Sequence, residues 1–211
     1  MRNAKKKIEL LHKYLPEGCE NMLLKWFREV EIDFELVISK ERSSKLGDFR
    51  PPYKKGEIPV ITINNNLNHY SFLLILTHEF AHHTNWAKYG NKIKAHGKEW
   101  KNDFATLLGQ LVLRGVFPED IVNALENQLQ SPTATIYSDI NLVRVLKKYD
   151  KGKKSLLLED IPDRSIFELN NGRFFRKGEI QRKRYKCLEL KSRRLYYVSA
   201  LAEVKLVNNS N

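Results

Sequence analysis

The chain has 211 residues, 42% hydrophobic and 29% charged, with 10 Phe, 9 Tyr and 3 Trp, enough apolar material for a core and too much for wholesale disorder. Its longest unbroken apolar run, Phe72–Leu76, is five residues, against the roughly 20 that a membrane span needs. Two cysteines far apart, Cys19 and Cys187, cannot build a disulfide framework or a cysteine zinc site.

The formal net charge is +12, and it is unevenly spread. Residues 141–211 hold 18 Lys and Arg against 8 Asp and Glu, whereas residues 1–140 hold 19 against 17. Positive charge gathered in the last third favours an acidic partner, nucleic acid before an anionic membrane. The N-terminal stretch is basic, but Glu9, His12 and Lys13 interrupt the apolar run that a secretory signal requires, so a cytoplasmic location is expected.

Taken in chain order, Ile8, Leu11, Tyr14 and Leu15, then Met22, Leu23, Trp26, Phe27 and Val30, recur at helical spacing. They predict helix over about 4–30, broken at Pro16-Glu17-Gly18. The period then changes to two: Ile32, Phe34, Leu36 and Ile38 predict a half-buried strand. Two more strands are expected at Lys45–Phe49 and Ile58–Ile63, the latter closed by Asn64-Asn65-Asn66. Residues 68–88 return to a helical, strongly apolar pattern, followed by helices over 96–113 and 119–129. This order predicts an α+β fold, helices packed on one face of a small antiparallel or mixed sheet over residues 1–130. A basic linker is expected over 131–160. Short alternating runs parted by turn signals predict a small antiparallel β module of four or five strands over 161–211.

The strongest chemical signal is His78-Glu79-Phe80-Ala81-His82. On a helix the two histidines project from one face one turn apart, where two imidazoles can share a metal ion and the glutamate can act on a bound water. Burying these three polar groups on so apolar a helix is costly unless they are paired or ligated. A zinc hydrolase site wants a third ligand and an open position. His83 points about 100° away around the helix, His69 lies over two turns upstream, and His12 belongs to another helix. His96, at the start of the next helix, is the best candidate. Trp100 and Phe104, at i+4 and i+8 from it, are expected to pack that helix. Tyr70, His83 and Tyr89 are candidates for stabilising an oxyanion.

The pair of motifs His78-Glu79-Phe80-Ala81-His82 and His96-Gly97-Lys98-Glu99-Trp100 resembles the SprT-like zinc metalloproteases, which include the Spartan enzymes that cut proteins crosslinked to DNA. Ser43–Gly47, strand Ile58–Ile63 and Asn64 look like the strands ahead of that family's active-site helix, so the resemblance spans about residues 20–130. It implies a zincin-like core, one Zn²⁺ held by His78, His82 and His96, and Glu79 as general base on the zinc-bound water. It implies protein substrates associated with or crosslinked to DNA. The chain departs from the family pattern downstream, where a four-cysteine zinc ribbon is common and only Cys187 is present. In its place Arg173, Arg176, Lys177, Arg182, Lys183, Arg184 and Lys186 interleave with Phe174, Phe175 and Tyr185, a composition suited to single-stranded DNA. Two other readings compete: a zinc peptidase with no nucleic-acid role, and a DNA-binding protein whose metal site is not catalytic.

Overall fold

Apolar residues at helical spacing close the first segment into α1 (Arg2–Leu11) and α2 (Glu20–Glu29), separated by a 3-10 turn at His12–Tyr14 and the Pro16–Gly18 break. Leu11, Leu23, Trp26 and Phe27 form their buried face. The computed structural model of the protein describes residues 2–42, 45–54, 56–152 and 155–207. Ser43 and Ser44, part of the motif ahead of Gly47, lie outside the described residues, as do Lys153 and Lys154 of the expected linker.

The period-two stretch becomes β1 (Glu35–Ser39), which starts later than the alternation, leaving Ile32 exposed at the surface. With β2 (Gly47–Arg50) and β3 (Val60–Asn64) it forms a mixed sheet of order β1-β3-β2, with β1 parallel and β2 antiparallel to β3. The central strand is the most buried, with Ile61 and Ile63 inaccessible, while β2 is an edge strand with one partner.

Asn68 caps α3 (His69–Tyr89), its side chain accepting the Ser71 N–H at 2.9 Å. A helix apolar on every side belongs in an interior, and from Ser71 to Ala81 every residue of α3 is buried. Phe80 sets its rotation: the ring lies 5.7, 5.5 and 5.8 Å from the rings of Trp26, Phe27 and Phe34. Burying such a side chain contributes about 1.5–3 kcal/mol, so the Phe80 side of α3 is held against α2 and the start of β1. The histidine side is left to face α4 (Lys98–Leu113), which precedes α5 (Glu119–Gln130).

The expected linker is partly helix. Residues 136–138 make a 3-10 turn and α6 spans Ile140–Lys147, started by Asp139, whose side chain accepts the N–H groups of Asn141 and Leu142. Ile136, Leu142 and Leu146 join the first core, and Leu146 O accepts from Asn68 Nδ2 at 3.0 Å. Apolar spacing with an acidic cap makes a helix even where the flanking charge suggests a linker.

After Asp150 the chain forms a second compact unit. It is antiparallel and has six strands: β4 (Ile166–Leu169), β5 (Phe174–Arg176), β6 (Ile180–Gln181), β7 (Arg184–Glu189), β8 (Leu195–Ser199) and β9 (Val204–Leu206). Their order is β6-β7-β5-β4-β9, with β8 also paired to β7. Its core is built from Leu158, Ile161, Phe167, Phe175, Cys187, Val198 and Val204. The protein is therefore α+β, a small mixed sheet with helices followed by an antiparallel sheet. Among the described residues no helix is long and apolar enough to cross a membrane.

Candidate metal centre

Helix α3 supplies His78 and His82 from one face, and the third histidine comes from a turn. His96 is not the first residue of a helix: the Gly97 N–H donates to Lys94 O at 2.9 Å, which closes a turn over Lys94–Gly97 immediately ahead of α4. His96 occupies its third position at φ 59°, where glycine or asparagine is usual and other residues are strained. Gly97 is needed there too, because a Cβ would sit 2.9 Å from Lys94 O. The turn aims His96 back at α3.

The three ring nitrogens converge. His96 Nε2 lies 2.9 Å from His82 Nε2 and 3.3 Å from His78 Nε2. Tetrahedral zinc with Zn–N bonds of 2.0–2.1 Å separates its nitrogen ligands by about 3.3 Å. Without a cation, three imidazoles meeting edge to edge could share at most a proton or two, and their lone pairs would repel. His78 Nδ1 is also buried with no hydrogen-bond partner. Burial lowers the pKa of His78 to about 3, helped by His82 and His96, and that of His82 to about 4, helped by His96. It lowers His96 as well. All three are held neutral with lone pairs available, the state that ligates a divalent ion. The residues fit a metal ion, and among the described residues these three alone form the cluster.

Trp100 and Phe104 are buried in the packing of α4, as expected, and they also back the cluster. Trp100 is fully buried, its ring 4.7, 5.0 and 4.6 Å from the rings of His78, His82 and His96, and stacks on Phe104 at 5.1 Å. This wall limits the ring positions of all three histidines.

Glu79 lines the same cleft, a cavity of ≈ 940 Å³ bounded by β2, the 90–96 segment and residues 134–137. Burial first, and then the neighbouring Asp48, push its carboxyl up to about 8, opposed by a hydrogen bond from the Phe49 backbone.

The three residues considered for an oxyanion do not line this cleft. The Tyr70 ring packs on Phe117 and Tyr149. His83 is fully buried against Phe34, Phe49 and Phe80, with burial lowering its pKa to about 4. Tyr89 is exposed at the end of α3. The tyrosine that does line the cleft is Tyr137, in the stretch read as linker; no local pattern marked it.

Backbone contact between β2 and α3 shapes the glutamate side. A Cβ on Gly47 would fall 2.5 Å from Ile75 Cγ2 and 3.0 Å from Glu79 Cγ and Oε1. Gly47→Ala should therefore push β2 off α3 and destabilise the protein by about 1–3 kcal/mol. Thermal denaturation checks this, and an unchanged midpoint would mean that the two elements are not in contact.

In the second unit, strand parity sorts the seven basic residues. Arg173, Phe175 and Lys177 share the inner face of the sheet. Arg173 pairs with Glu189 at 2.7 Å and lies over the Phe175 and Tyr196 rings. Lys177 is 3% exposed, donates to Ile161 O at 2.7 Å and lies over Tyr185. Lys177, with Phe175, thus serves the module's interior, whereas Arg173 is tied down by its pairing but keeps 37% of its side chain exposed. Alternation around Phe175 already carried that signal. Arg176, Arg184 and Lys186 fall on the opposite face, where Lys186 is opposite Tyr197 and Arg176 opposite Leu188. Phe174 (44% exposed) and Tyr197 (55%) are open on that face, and Arg182 and Lys183 make the turn between β6 and β7.

Compared with known proteins, the chain matches no family model, no curated protein and no solved structure.

Proposed function

We propose that the protein is a zinc-dependent metalloendopeptidase with Glu79 as general base, directed by its basic second unit to DNA-associated or DNA-crosslinked proteins. One observation carries the hydrolase reading: three neutral imidazoles converge on a single point in an open cleft that also holds a buried carboxylate. A structural zinc site takes a fourth protein ligand, whereas this cluster has three members among the described residues. The resemblance of the two histidine motifs to SprT-like proteases supports the same reading.

His78, His82 and His96 would hold the ion, which supplies Lewis acidity to polarise a scissile carbonyl and acidify a water. Glu79 takes the proton of the attacking water and returns it to the leaving amine. The β2 backbone at Gly47 lies against its side chain and limits where the carboxylate can sit.

Support for a DNA partner is the sheet face carrying Arg176, Arg184 and Lys186 beside exposed Phe174 and Tyr197. Cations can meet phosphates there while aromatic rings stack on bases. Reversing the three charges to Glu should weaken single-stranded DNA binding. The log-log salt dependence should become shallower by about 2, since each phosphate contact contributes about 0.7. Titration by fluorescence anisotropy at several salt concentrations measures both, and an unaltered curve would return this face to ordinary surface.

The experiment that tests the whole reading is cleavage of a DNA-binding protein by the zinc-loaded protein, with and without single-stranded DNA and with a chelator. Chelator-sensitive cleavage stimulated by DNA is the expected result. Cleavage indifferent to DNA would leave a general zinc peptidase, and no cleavage under any condition would favour the binding protein with a non-catalytic metal.

A further inference from the structure

We infer that Asn64 is a positioning residue for Glu79, acting through the backbone of β2. Its catalytic consequence rests on the peptidase reading above, and its structural consequence on geometry alone.

Asn64 is the last residue of β3 and fully buried, and its polar atoms are all engaged. Its Oδ1 accepts from Arg42 Nε at 2.9 Å and lies 3.1 Å from Ser39 Oγ. Its Nδ2 donates to Arg42 O and Lys45 O, each at 3.2 Å, and its backbone N–H donates to Leu46 O at 2.8 Å. One amide thus grips the chain on both sides of the segment that leads into β2. Arg42 continues the network with an ion pair to Asp48, which Lys45 and Arg50 also approach at 3.6 and 3.4 Å.

The strand so held is four residues long and has one partner in the sheet. A short edge strand is the part of a sheet most prone to fray. Yet this strand must lie close enough to α3 that only glycine fits at position 47. The same contact puts the strand backbone against the glutamate, since a Cβ at position 47 would come within 3.0 Å of Glu79 Cγ and Oε1. The chain of contact runs from Asn64 to Arg42, Lys45 and Leu46, then to Gly47, then to Glu79. The amide is suited to this because it combines an acceptor with two donors; a carboxylate of the same shape accepts only.

The test uses the full-length, ¹⁵N-labelled, zinc-loaded protein and its Asn64→Asp variant, which keeps the acceptor and loses both donors. Amide exchange at Asp48, opposite Thr62 in the sheet, should become about 10-fold faster or more, while Leu73 and Leu76 in α3 stay protected. Cleavage should show kcat lower by about 10- to 100-fold, with KM and zinc content unchanged, as expected when a base is displaced and substrate binding is not. Should Asn64→Asp fail to fold, Arg42→Gln breaks the same network from the surface side and should move both readouts in the same direction. Unchanged Asp48 exchange overturns the inference, as does faster exchange with intact kcat. A wild-type protein without cleavage, whose Asp48 exchange still responds, overturns the peptidase reading and upholds the structural link.

Discussion

Glu79→Gln should retain its zinc and lose peptide-bond cleavage by about 10²–10⁴-fold, the usual contribution of a general base. The substitution is close to isosteric, so β2 keeps its place on α3. The histidine triad is untouched. A neutral amide cannot take a proton from water at any accessible pH, so the loss should appear in kcat rather than in metal content. The amide also suits this buried setting at least as well as a carboxyl that burial has already pushed up to about 8, so the fold should persist. Metal analysis alongside a cleavage assay separates the outcomes. Zinc bound and activity lost supports the assignment; normal cleavage removes Glu79 from the base's role.

His96→Ala should weaken zinc affinity by about 100-fold or more, because loss of even an outer-shell partner of a ligand typically costs 10–100-fold. His78 and His82 remain on rigid α3, but two imidazoles one turn apart leave half the coordination sphere to water. The effect should also appear as stability. A ligand at about 100 times its Kd stabilises by about 2.7 kcal/mol, so a variant binding about 100-fold more weakly forfeits most of that increment at the same zinc concentration. Competition against a chromophoric chelator and thermal denaturation with and without zinc measure the two sides. Unchanged affinity would exclude His96 from the ligand set.

How far the chain could be read without its fold follows from the range of each interaction. The α3 pattern is local: spacing of four places His78 and His82 on one face whatever surrounds them, and apolarity on every side announces burial. Strand parity is local too. It could have assigned Arg173 and Lys177 to the inner face with Phe175, a signal that charge density masked. Helix α6 was also within reach, since Asp139 and the spacing of Leu142, Val143 and Leu146 form a capped amphipathic pattern inside a stretch read as linker.

By itself, the sequence determined the α+β order of elements, the histidine pair with its glutamate, and the short list from which a third ligand had to come. Only the tertiary structure decided that His96 stands in a turn at φ 59° rather than in a helix. It also decided that residues 134–137 wall the cleft, and that Asn64 and Gly47 bear on Glu79 from another part of the chain. Helical spacing and strand alternation follow from backbone geometry over a few residues. The nitrogen-to-nitrogen distances among the three histidines depend on how α3, α4 and β2 pack, and that packing is set by side chains far apart in the chain.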